Sequence, residues 1–360
     1  IIDWSEYYSY SINDRFKKSV VSENSNIKIN DRYENIGEVQ SNKNGNYILF
    51  TTKNNNQKHI VSYNTNKEKF KKIESFKARN SSKSYFLRWI DDHTISYLKD
   101  INGKNTIVNY NVLSKRKTYK DVSKFNKING FSYNTNKSLI AISGSVGNQR
   151  DIYLLSASSN SLKKITDDMY DDIYPEFFPN STSIIFSSNR KSNNLDDKID
   201  EIDNEYYNLF VFNLDSTQNI IKKITNSQSN NLKASTISKN KILYLSDRKG
   251  IYNLYSHEIG KTHKQITNFN TNINDYDLIL ESKSLYYSSL VNGNTQLHIY
   301  DKLEIDKSSF GPQTKRVDFI QLQQNKKKIE EKIEVEYINS NKDFSDTNDF
   351  SFEEDNKNNS

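Results

Sequence analysis

The 360-residue sequence contains no cysteine, which excludes disulfides and thiolate-held metals while leaving the redox compartment open. It has no run of about 18 apolar residues, so no hydrophobic helix of membrane-spanning length is expected. Methionine occurs once, at Met169, and the first residue is Ile1. The expectation is a processed form or a fragment of a longer protein, with any export signal removed. Catalytic signatures are also missing. Gly144-Ser145-Val146-Gly147 lacks the spacing of a nucleophile elbow and reads as a hairpin turn. The five histidines, His59, His93, His257, His263 and His298, show no zinc-binding spacing. No catalytic residue, metal site or cofactor is expected, and the chain reads as a non-enzyme.

Charge of one sign is not concentrated anywhere. The net charge is +6, yet lysines are spread over the whole chain and no arginine-rich or aromatic–basic cluster stands out, so nucleic acid is not an expected partner. Asn, Lys, Ile and Tyr are heavily used in the way an AT-rich genome drifts, which weakens any functional reading of lysine counts. Only 34% of residues are hydrophobic, but 24 Tyr and 18 Phe supply large apolar areas, so an aromatic core is expected.

What the sequence does contain is a repeat. An apolar, aromatic-tipped string recurs at Tyr47–Phe50, Thr94–Tyr97, Leu139–Ile142, Ser183–Phe186, Ile242–Leu245 and Leu285–Ser288, and the steps from Phe50 through Tyr97, Ile142, Phe186, Tyr244 and Tyr287 are 47, 45, 44, 58 and 43 residues. A period in the forties made of short strands predicts a β-propeller with one four-stranded antiparallel blade per repeat. A second string follows each first, for example His59–Tyr63, Thr106–Tyr110 and Asn208–Phe212, rich in β-branched and aromatic residues. Asn102-Gly103, Lys249-Gly250 and Asn292-Gly293 supply turns that tolerate positive φ. A third, lysine-rich string such as Phe70–Ile73, Leu162–Ile165 or Ile221–Ile224 suits an outermost strand, where charge discourages edge pairing.

The predicted architecture is all-β: a six-bladed propeller over residues 31–310. The last repeat lacks a closing string, and Phe16-Lys17-Lys18-Ser19-Val20 within residues 1–30 is expected to complete it and seal the ring. Tyr8–Ile12 also looks like a strand, which leaves a further upstream blade open. The long step carries an acidic insertion, with Asp196, Asp197, Asp200, Glu201 and Asp203 as a possible partner-binding loop. It has no glycine and no calcium-loop order, so a solvated protrusion that could steer a basic partner is expected. Residues 311–360 read as a charged, helical or partly disordered tail.

One stretch, Asp171–Arg190, resembles the WD-like repeat of TolB-type propellers, whose pattern is an Asp, then Pro-x-aromatic-Ser-Pro-Asp-Gly, an apolar strand and a Ser-Asp-Arg-like end. Asp172, Pro175, Phe177, Pro179 and Arg190 carry the match, flanked by Asp151-Ile152-Tyr153 and Lys164-Ile165-Thr166, and Ser246-Asp247-Arg248 extends it. Asn180-Ser181 departs from the usual Asp-Gly. These repeat residues read as structural: Pro175 and Pro179 are expected to pin the turn after the innermost strand, and Asp172 and Arg190 to cap loop backbone or pair.

The resemblance implies a propeller that binds another protein in the bacterial cell envelope. TolB-like proteins act in the Gram-negative periplasm and bind a peptidoglycan-associated lipoprotein in an envelope-integrity complex, so such a lipoprotein or another envelope protein is the implied partner of a monomeric disc. The α/β domain of TolB is not visible in the sequence. Two alternatives are the propeller portion of a larger surface or secretion-associated protein, and the gating propeller of a prolyl-oligopeptidase-like peptidase.

Overall fold

The structure is a computed structural model and describes residues 33–54, 57–77, 85–147, 149–195, 206–216, 220–309, 311 and 313–345. Six antiparallel sheets follow one another along the chain. Blade 1 comprises β1 (Ile36–Ser41), β2 (Tyr47–Asn54), β3 (Gln57–Asn64) and β4 (Lys69–Lys77). Blade 2 comprises β5 (Arg88–Trp89), β6 (Thr94–Ile101), β7 (Lys104–Asn111) and β8 (Lys117–Asp121). Blade 3 is β9 (Lys127–Tyr133), β10 (Leu139–Ser145), β11 (Asp151–Ser156) and β12 (Leu162–Lys164). Blade 4 is β13 (Asp172–Phe177), β14 (Ser183–Ser188), β15 (Asn208–Asn213) and β16 (Lys222–Lys223). Blade 5 is β17 (Asn231–Thr236), β18 (Lys241–Ser246), β19 (Asn253–Glu258) and β20 (Lys264–Gln265). Among the described residues blade 6 has three strands, β21 (Ile273–Ile279), β22 (Ser284–Val291) and β23 (Asn294–Tyr300). The expected sealing strand at Phe16–Val20 lies outside the described residues.

Local chemistry explains the meander. Asn102-Gly103 and Asn292-Gly293 adopt φ of 52° and 81°, and of 49° and 84°, so both pairs make the two-residue turns whose left-handed backbone matches strand twist. Asn tolerates that region and Gly meets no steric cost there. Within each sheet the centre of the second strand is buried, and its anchors Phe50, Tyr97, Ile142, Phe186, Tyr244 and Tyr287 all sit in the core. The lysine-rich strings become the outermost strands β4, β8, β12, β16 and β20.

Apolar faces pack blade against blade. Ile140, Ile142 and Phe131 of blade 3 meet Leu98 and Ile107 of blade 2, and Ile185 and Leu209 of blade 4 meet Ile242 and Tyr244 of blade 5. The same layer joins the last blade to the first, where Ile279, Tyr286, Leu297 and Ile299 pack on Val39, Ile48, Phe50 and Val61. The sheets therefore form a closed ring.

Innermost strands carry one further regularity. β1, β9, β13, β17 and β21 each have a bulge, which bends the strand and re-aims one side chain. At equivalent positions Phe86, Tyr174 and Lys233 take φ of 50°, 54° and 51°, and Gly130 takes 143°. Left-handed backbone at bulky residues is uncommon and persists only where surrounding structure holds it. Pro175 follows Tyr174 inside β13, at the bulge, so it does not pin the following turn as the sequence suggested; the bulge removes the ladder partner that a proline cannot donate to. Pro179 does occupy the β13–β14 connection.

A second unit contains α1 (Lys315–Ser345), a charged helix of 31 residues. Thr314 precedes it, and its hydroxyl accepts the Val317 N–H at 3.5 Å, the role of an N-cap. No helix among the described residues is long and apolar enough to cross a membrane.

Candidate functional site

The innermost strands of blades 1, 2, 4, 5 and 6 surround a cavity of about 240 Å³. Register relates its lining across blades. Val39, Phe131 and Tyr276 lie opposite the anchors Phe50, Ile142 and Tyr287, and the residues on either side of these positions point to the ring's centre. Two tiers result. The first carries Glu38, Phe86, Tyr174, Lys233 and Asp275; the second carries Gln40, Arg88, Glu176, Ser235 and Asp277.

Most of these charges are tied down. Glu38 accepts the Tyr85 and Leu87 N–H groups at 2.8 and 2.7 Å, bracing blade 2 from blade 1. Asp275 accepts the Val39 N–H at 2.8 Å, and Asp277 accepts the Ser41 N–H at 2.6 Å and its hydroxyl at 2.8 Å, bracing blade 1 from blade 6. Lys233 pairs with Asp275 at 2.8 Å, and Arg88 stands 3.7 Å from Glu176. Removal from bulk water, followed by hydrogen bonds and the Arg88 charge acting in opposition, leaves the Asp277 carboxyl pushed up to about 6. The Glu176 carboxyl goes up to about 7, because desolvation and the charge of Asp277 outweigh Arg88.

The repeat-motif residues assemble elsewhere, at the blade 3–blade 4 junction. Arg190 is 1% exposed and its guanidinium bridges Asp168 at 2.9 Å and Asp172 at 2.6 Å, with Tyr170, Phe186 and Phe210 around it. Asp151 pairs with Lys164 at 2.9 Å, and desolvation pushes its carboxyl up to about 6 against that ammonium. Asp151, Asp168 and Asp172 bring one oxygen each within 4.8 Å, a spacing a hard cation could use, but Arg190 and Lys164 already supply the positive charge. Tyr153 packs edge-on against Phe125 at 5.0 Å, and Phe177 packs with Leu154 and Ile184. In blade 5 Asp247 accepts the Asn230 N–H at 2.7 Å, and Arg248 lies over the Tyr255 ring at 5.5 Å. The acidic positions Asp196, Asp197, Asp200, Glu201 and Asp203 lie outside the described residues.

Histidines that look unrelated in sequence are brought together. His257 and His263 stack at 3.9 Å, and the Tyr244 hydroxyl meets His263 Nδ1 at 2.9 Å. Burial, then the neighbouring His257 and Arg248, holds the His263 imidazole down at about 4, so it is neutral at ordinary pH. His59 Nδ1 contacts the Ser75 hydroxyl at 3.0 Å, and among the described residues no carboxylate holds the second ring nitrogen.

The cavity charges were missed in the sequence reading. Glu38, Arg88, Glu176, Lys233 and Asp277 share no motif, and each is a single residue on or beside an innermost strand. The available signal is positional: they flank the inner-strand residue that faces each blade's aromatic anchor.

No protein-family model matches the sequence, and no curated protein gives a significant match to it. Solved structures do. TolB from Acinetobacter baumannii superposes with a TM-score of 0.54 at 16% identity, covering 74% of this chain and 60% of that one. A putative TolB from Agrobacterium tumefaciens gives 0.54 at 13% identity, covering 72% and 91%. The β-propeller domain of the Trilobed protease from Pyrococcus furiosus gives 0.49 at 14% identity, covering 78% and 81%. The chain thus has the six-bladed TolB-like propeller fold, and it spans 60% of the length of the A. baumannii protein.

Proposed function

We propose that this chain is a non-enzymatic protein–protein interaction propeller of the bacterial cell envelope, acting in the Gram-negative periplasm as a scaffold or translocation component. The observation that carries this reading is the central cavity: charged and aromatic side chains from five blades converge there on rigid strands. Sites built on strands hold their geometry better than sites on loops, which suits recognition of a partner's surface. The serine–histidine contact of Ser75 with His59 has no orienting carboxylate among the described residues and lies on the outer strands of blade 1. The lysine-rich strings sit on outermost strands, where they guard sheet edges, and the other lysines are dispersed, which supports a protein rather than a nucleic-acid partner. The TolB-like fold makes a peptidoglycan-associated lipoprotein the first partner to try, with the repeat residues Asp151, Asp172, Pro175 and Arg190 serving structure and the acidic loop Asp196–Asp203 serving steering.

Isothermal titration of the purified chain with a peptidoglycan-associated lipoprotein tests the proposal. Saturable binding, with no turnover of fluorogenic peptides or esters, is the expected outcome. Turnover that survives repurification would overturn the non-enzymatic reading.

A further inference from the structure

We propose that the central cavity is a socket for one cationic side chain, lysine or arginine, presented on an exposed loop of a protein partner. This deepens the interaction reading above and rests on it.

Charge balance sets the sign of the guest. Four carboxylates, those of Glu38, Glu176, Asp275 and Asp277, face two cations, Arg88 and Lys233. Three of the four already accept backbone amides, as described, and Asp277 also takes the Leu278 N–H at 2.9 Å. Glu176 differs. Among the described residues it makes no hydrogen bond, and its ion pair with Arg88 at 3.7 Å is too long to be one. Arg88 is drawn elsewhere, since its Nη1 donates to the Leu87 carbonyl at 3.0 Å. Glu176 is therefore the carboxylate with capacity left for a ligand, and a charge-assisted bond to it is roughly twice as strong as a neutral one.

The walls suit a cation as well. Phe86, Trp89, Tyr174 and Tyr276 line the cavity, and aromatic faces attract ammonium and guanidinium groups. The protein already uses one of them this way: Lys233 Nζ lies 5.8 Å from the Tyr174 ring centre. Two donors that line the cavity, Arg88 Nε and Trp89 Nε1, are buried with no acceptor among the described residues, and the backbone carbonyls of the guest's own loop would satisfy them. The volume of about 240 Å³ is below the ~300–1,000 Å³ typical of small-molecule pockets and admits a single long side chain. Phe86, Tyr174 and Lys233 are held in left-handed backbone, the last two at bulges, so the socket is shaped before the guest arrives.

Protonation works against the guest. With Glu38, Arg88, Lys233, Asp275 and Asp277 as its charged neighbours, Glu176 holds its proton up to about pH 7. A bound cation must expel that proton, so affinity rises as pH climbs through this range and falls on acidification.

The test titrates the full chain with acetyl-Gly-Arg-Gly-amide and with its citrulline counterpart, which has the same shape without the charge, following heat and tryptophan emission. The arginine peptide should bind at least ~10-fold more tightly, and Glu176→Gln should remove at least ~10-fold of that affinity with the circular dichroism unchanged. Arg88→Gln, which removes the competing cation, should tighten binding and supplies the answer if the first variant does not fold. Affinity at pH 5.5 should be several-fold below that at pH 8. Equal binding of both peptides, no binding at about 10 mM, or occupancy by Ca²⁺ alone would each overturn the socket. An envelope lipoprotein bound equally by wild type and Glu176→Gln would overturn it too while leaving the interaction reading intact.

Discussion

At the residue scale the molecule separates two uses of charge. Arg190 is buried and bridges Asp168 and Asp172, one oxygen of each, so the three side chains hold one another as a fixed strut. Breaking a buried pair leaves an uncompensated charge, and Arg190→Met should lower the unfolding free energy by about 3–5 kcal/mol in urea titration. A loss below about 1 kcal/mol would show that Asp168 and Asp172 do not depend on it. Glu176 is the opposite case, 28% exposed and loosely paired, and its charge is available to a partner. Sequence alone marked Asp172 and Arg190 because they sit in a recognisable string. It could not mark Glu176, because what distinguishes it, a carboxylate with only a long ion pair and no hydrogen bond among the described residues, exists only in three dimensions.

At the element scale one lock recurs between the third and fourth strands. The Thr166, Thr225 and Thr267 hydroxyls each accept a strand N–H, from Ile152, Leu209 and Leu254, at 2.8 to 2.9 Å. Thr225 and Thr267 also donate to the amide oxygens of Asn208 and Asn253, at 3.0 and 2.9 Å. This is the physical content of the Ile-Thr dipeptide that ends those repeats. Thr267→Val keeps the volume but strands a buried N–H, so it should cost about 1–3 kcal/mol in the same titration, and a neutral result would refute the lock. The strands, their order and the two Asn-Gly turns were legible because apolar spacing and turn chemistry act locally. The bulges were not, since each is a register shift against a neighbouring strand and leaves no mark in its own strand. Pro175 illustrates this: the sequence places it at a turn, whereas the pairing places it inside β13 at a bulge.

At the scale of the whole molecule the propeller exists only if its last blade abuts its first. An apolar layer joins them, and Asp275 and Asp277 reach across to Val39 and Ser41 over 236 residues of sequence. The repeat count announced a ring, but no single segment encodes this seam. It arises only when six blades have each turned the chain by their share, and the cavity exists only if it forms. The absence of cysteine makes the seam directly measurable. The Ser41 hydroxyl lies 2.8 Å from Asp277 Oδ2, so the double variant Ser41→Cys and Asp277→Cys puts two thiols face to face across the seam in a protein with no others. Mild oxidation should give an intramolecular bond in monomeric protein, seen as faster migration on a non-reducing gel and as the linked peptide in mass spectrometry. Thiols that stay free, or that link only between molecules, would contradict the closed ring.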